Sequence, residues 1–151
     1  MEYRMYCIVE KHLSPIQKGI QAAHAIVEYQ LQYGHTEEYK HWANYDKTIV
    51  ILDGGCVPEM ELIFSTLTDT RVDHAYFTEP DLNNMITAEA MLVDERVWNY
   101  EKYGQNYEDY YLRAANNPDM PKWRKDEWVN WVGGKTAADV KVWLSSLRVA
   151  I

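Results

Sequence analysis

The chain opens with a run of aromatic and branched residues at 3–11, Tyr-Arg-Met-Tyr-Cys-Ile-Val-Glu-Lys, short enough for one buried strand. Ser14-Pro15-Ile16-Gln17 then gives a complete helix start: Ser as N-cap, Pro at the first helical position and Gln three residues on to form a capping box. With Gly34 as terminator, the pattern predicts a helix over 15–33, and Thr36 caps a short continuation reaching Tyr45. At 100° per residue Ile16, Ile20, Ala23, Val27 and Leu31 share one face, read as apolar, while Gln17, Gln21, His24 and Glu28 form a stripe along its margin.

A second branched run at 48–53, closed by Gly54-Gly55, predicts another strand. Pro58 opens a core helix at 59–67, where Met60, Ile63, Phe64 and Leu67 fall at helical spacing. Two more strands, 72–77 and 86–93, flank a loop at 78–84 rich in Pro, Asp and Asn. The resulting order is β-α-β-α-β-β. After Asp94 the chain becomes rich in Tyr and Trp, with helices expected at 95–103, 107–115, 125–132 and 136–147. This tail holds five of the six Trp residues, which points to packing on the core or on a partner.

At 151 residues and 47% hydrophobic content, the chain is expected to form a single domain, 1–151, with an α/β core at 1–93 and a helical extension at 94–151 packed on it. No apolar run approaches the roughly 18 residues of a membrane helix, and the first residues lack a signal-peptide pattern, so a cytoplasmic location and no membrane partner are expected. Cys7 and Cys56 lie in or beside apolar segments and read as buried free thiols.

The net charge of −8 is uneven: residues 36–110 carry sixteen acidic against five basic groups, whereas residues 111–151 carry four against seven. An acidic protein binds nucleic acid poorly without a local basic patch, because backbone affinity comes from Lys and Arg. Lys122, Arg124 and Lys125 form one such cluster, which also reads as a solvated surface run. Gly133-Gly134-Lys135-Thr136 lacks the earlier glycine and preceding strand of a phosphate-binding loop. His35 and His41, with Glu37 and Glu38, have no recognisable metal-ligand spacing, so no metal is expected.

Chemistry concentrates on the first helix. Spacings of three and four residues let His24 meet Gln21 and Glu28, and Lys18 lies one turn into the helix. In open α/β sheets, ligands bind at the carboxyl ends of strands, where a helix N-terminus favours anions. The words Gln17-Lys18-Gly19-Ile20-Gln21-Ala22-Ala23-His24-Ala25, in this order of elements, resemble the type 2 peptidyl-tRNA hydrolases. That family's first helix carries a Lys-Gly-Lys stretch leading into Ala-Ala-Gln-x-x-His-Ala. Gln21, His24 and Ala25 match its end, while Gln17 stands at the family's lysine and Lys18 is displaced by one residue. In place of the family's Asp-x-Gly-x-Thr stand Glu79-Pro80-Asp81-Leu82 and Thr87-Ala88, similar to divergent bacteriophage relatives.

The resemblance covers residues 3–93. It implies a mixed four-stranded sheet with helices on both faces, and hydrolysis of the ester joining a peptide or N-blocked amino acid to the tRNA 3′ end. It also implies His24 or Asp81 as general base, Gln21 and Thr87 positioning water or the carbonyl, and Lys18, Gln17 and Glu79 as substrate-binding residues. No cofactor is implied. The departures in both signatures leave an alternative: the same fold without catalysis, binding a protein through its acidic surface and aromatic C-terminal helices. The oligomeric state, monomer or homodimer, stays open.

Overall fold

A computed structural model describes residues 1–150; Ile151 lies outside the described residues. The elements, in order, are β1 (Tyr3–Val9), α1 (Pro15–Tyr33), α2 (Glu37–His41), β2 (Ile49–Asp53), α3 (Val57–Thr70), β3 (His74–Glu79) and β4 (Met85–Asp94). The tail adds α4 (Glu95–Trp98), α5 (Tyr100–Tyr103), α6 (Tyr107–Ala115), α7 (Lys125–Trp131), α8 (Lys135–Leu144) and the two-residue β5 (Arg148–Val149). The sheet order is β3-β4-β1-β2-β5, with β1 and β2 parallel and the other pairs antiparallel. The expected mixed four-stranded sheet is therefore present, in the order β3-β4-β1-β2, and β5 extends its β2 edge beyond the expectation.

Strand alternation explains the two helical layers. Met5, Cys7 and Val9 of β1 pack with Ala22, Ala25 and Tyr29 of α1, while Tyr6 and Ile8 point the other way onto Met60, Ile63 and Leu67 of α3 and Val140 and Leu144 of α8. Gly54 after β2 makes the second layer possible. A Cβ there would lie 2.3 Å from Met60 Sδ and 2.7 Å from Ile8 Cγ2, so only glycine lets α3 approach this closely.

α1 has the predicted bounds, and Ser14 Oγ accepts the Gln17 N–H at 3.2 Å. Its orientation differs from the expectation. The buried residues are Lys18, Gln21, Ala22, Ala25 and Tyr29, whereas Ile16, Ile20, Val27 and Leu31 are exposed. The helix is apolar on two opposite sides, and the side with Ala22 and Ala25 faces the sheet because small residues permit close helix–sheet contact.

The tail forms a small core of its own from Tyr103, Tyr110, Ala114, Trp128, Val132 and Ala138. It joins the sheet through α8 and through Arg4, whose guanidinium lies 3.4 Å from the Trp98 ring centroid. The single helix expected at 95–103 is broken at Asn99, whose side chain caps α5 by accepting the Lys102 N–H. All five tail Trp residues are buried or half-buried. Lys141 is fully buried, and its Nζ donates to the carbonyls of Arg96 and Val97 at 2.8 and 3.0 Å. Burial pulls this ammonium down to about 7.

Among the described residues, no helix is long and apolar enough to cross a membrane. Cys7 is a buried free thiol, pushed up to about 12 by burial, whereas Cys56, the N-cap residue of α3, is only half-buried.

Candidate functional site

The carboxyl end of β1, the start of α1 and the β3–β4 turn meet around a cleft of about 610 Å³. Its lining includes Glu10, His12, Gln17, Gln21, Glu79 and Asp81. The chain places the opening where an open α/β sheet exposes its strand ends and a helix N-terminus. The first turn of α1 carries no acidic residue to offset the helix dipole.

Gln21 is the centre of a buried network. Its Nε2 donates to Glu79 Oε2 at 2.7 Å, and its Oε1 accepts the Thr87 hydroxyl at 2.6 Å. Glu79 in turn accepts the Asp81 N–H at 3.3 Å, which caps the single 3-10 turn Pro80–Leu82. That turn is shorter than the loop expected at 78–84, because β3 runs on to Glu79, and Asn83 and Asn84 close it with φ of 56° each. A bulge aims Thr87 at α1. Phe77 pairs with Ala88 and Thr78 with Ile86, so Thr87 has no partner across the ladder and its hydroxyl turns to Gln21. The Glu10 N–H donates to the Thr87 carbonyl at 3.0 Å, tying the end of β1 to the same bulge.

Glu10 and His12 are functional candidates that the sequence pattern did not single out. Glu10 is buried, and its carboxylate accepts the His12 N–H at 2.8 Å while Oε1 meets His12 Nδ1 at 2.6 Å. The imidazole is 69% exposed and lines the cleft. The only available sequence signal was two polar residues, Glu and His, two apart at a strand end beside the helix cap.

The structure thus brings Gln17, Gln21, Glu79 and Asp81 together on the cleft, with Thr87 directly behind Gln21. Two expected residues sit elsewhere. Lys18 lies with the buried residues of α1, because a shift of one position from Gln17 turns it by 100° toward the sheet. His24 is exposed on α1 outside the cleft lining and stacks on Phe77, ring centroids 4.4 Å apart and planes 16° from parallel. The cleft lining carries three carboxylates and neither Lys nor Arg. Among the described residues, no group of three or more His, Cys, Asp or Glu side chains could hold a metal ion.

No protein-family model matches the chain, and a search of curated proteins found no match.

Proposed function

We propose that this cleft hydrolyses an ester of the peptidyl-tRNA type. The supporting observation is the Gln21 amide, nearly fully buried yet on the cleft wall and fixed at both ends by Glu79 and Thr87. A buried amide held this firmly is preorganised, and its nitrogen carries two hydrogens of which Glu79 takes one. The second is suited to an ester carbonyl, whose oxygen gains negative charge as water adds.

His12 supplies the general base in this reading. With Nδ1 engaged by Glu10, Nε2 is the nitrogen that takes the proton from water as the water oxygen bonds to the carbonyl carbon. Collapse of the adduct breaks the bond to the ribose oxygen, which leaves with the proton held on His12. Asp81, exposed at the rim, is a second acceptor. Thr87 and Glu79 act as positioning residues through Gln21. The assay is release of labelled N-acetyl-aminoacyl groups from tRNA by the full chain.

A second reading is favoured by one observation. Glu10, Glu79 and Asp81 line the cleft without a Lys or Arg to meet terminal phosphates. The fold would then bind a cationic ligand without turnover. Under that reading, tRNA esters remain intact, and a positively charged peptide binds with an affinity that falls as salt rises.

A further inference from the structure

α1 presents a second apolar face to solvent. Ile16 is 76% exposed, Ile20 42%, Val27 52% and Leu31 75%. Projected at 100° per residue, these four lie opposite the buried residues Lys18, Ala22, Ala25 and Tyr29. Gln17, Gly19, Ala23, His24 and Gln30 fill the rest of this exposed sector, and the half-buried Glu28 beside Gln17 is the one charged residue at its margin.

Both the charge and the spacing of this face fit a second copy of the same chain. Two molecules of net charge −8 repel wherever their acidic surfaces meet, and the uncharged sector of α1 removes that cost locally. Its large residues are also symmetric along the helix. Ile16 and Leu31, and likewise Ile20 and Val27, are equidistant from the point between Ala23 and His24. A two-fold axis through that point sets two α1 helices antiparallel, as a closed self-complementary interface requires. Ile16 then meets Leu31 of the partner subunit, and Ile20 meets Val27 of the partner subunit, each contact occurring twice. Beside the axis the small Ala23 meets His24 of the partner subunit, a residue that stacks on Phe77 within its own chain, and antiparallel helix dipoles attract.

We infer that the chain self-associates into a two-fold dimer through the exposed Ile16–Ile20–Val27–Leu31 face of α1. A helix of 19 residues is about 28 Å long, too narrow a strip to reach the ~800 Å² per partner of a standard interface. The dimer is accordingly reversible. This inference is independent of the reaction proposed for the cleft.

Sedimentation equilibrium of the full chain tests it. The expected mass rises with concentration from 17.8 kDa toward twice that value. Ile20→Lys and Val27→Glu should each stay monomeric, while their equimolar mixture recovers a dimer, because the new Lys and Glu face each other across the axis. Ile20→Ser and Val27→Ser, which add no charge, should each weaken association about tenfold. Both positions are exposed, and an unchanged circular dichroism spectrum verifies the fold. A wild-type mass of 17.8 kDa throughout, or a dimer that survives every variant, overturns the proposal. Failure of the mixture to recover a dimer overturns the antiparallel arrangement.

Discussion

His12 Nδ1 lies 2.6 Å from Oε1 of the buried Glu10 carboxylate, leaving an exposed imidazole with one nitrogen held and the other directed away from its anchor. The pair joins the end of β1 to the cleft. His12→Ala is expected to lower ester hydrolysis by about a hundredfold to ten-thousandfold, the usual contribution of a general base. Its exposure means that the thermal midpoint should hardly move. Glu10→Gln should retain the orienting contact without its charge and lose less. Steady-state rates with thermal melts as the folding control check both.

Gln21→Leu should be costly for stability as well as rate. It removes the shorter of the two hydrogen bonds of the Thr87 hydroxyl, leaving the Phe77 carbonyl at 3.5 Å, and one partner of Glu79, at a site that is nearly fully buried. Stranded buried polar groups cost about 1–3 kcal/mol each, so a loss of roughly 2–4 kcal/mol is expected by urea denaturation. Thr87→Val removes the hydroxyl that donates to Gln21 at 2.6 Å and, at 3.5 Å, to the Phe77 carbonyl, and should cost about 1 kcal/mol.

Lys141 should tilt the pH dependence of stability. Its ammonium titrates near 7 in the folded chain against 10.5 when unfolded, so the unfolded state holds the extra proton between these values. Lys141 therefore adds stability as pH rises from about 7 toward 10, by on the order of 4 kcal/mol. Above about pH 10 the sign reverses. Burial raises Tyr29 and Tyr100, the latter to about 12, so these phenols stay protonated in the fold while the unfolded chain ionises. Lys141→Met should flatten the climb and leave the alkaline fall, as read from urea midpoints across this range.

Two glycines should respond in opposite directions to the same substitution. At Gly54, alanine must displace Met60 Sδ and Ile8 Cγ2, and a loss of about 1–3 kcal/mol is expected. At Gly19, within α1, an added Cβ meets nothing within 4 Å, and Gly19→Ala should gain up to about 1 kcal/mol of helix stability. Thermal melts at low protein concentration separate the two.

The local signals in the sequence were strong where a single residue type decides the backbone. Ser14, Pro15 and Gly34 marked the ends of α1, and the branched runs marked β1 and β2. The facing of α1 was not legible, because periodicity finds an apolar stripe without saying what covers it, and here Ile16–Leu31 and Ala22–Ala25 are rival stripes. Thr87 stood out as a candidate, but its contact with Gln21 depends on a bulge that exists only once β3 and β4 are paired. Glu10 and His12 carry no periodic signal. Their pairing arises because β1 ends at Val9 and the chain turns before the cap at Ser14. The five-stranded sheet was hidden for a similar reason, since Arg148–Val149 is too short to form a strand without β2 beside it.

The most direct test is single-turnover hydrolysis of labelled N-acetyl-aminoacyl-tRNA by the full chain, run beside His12→Ala and Gln21→Ala. The expected result is release of the acyl group by the wild type and at least a hundredfold slower release, about 3 kcal/mol of barrier, by each folded variant. An intact ester with a well-folded wild type, across several tRNAs, or equal rates in all three proteins, would contradict a hydrolytic role for this cleft.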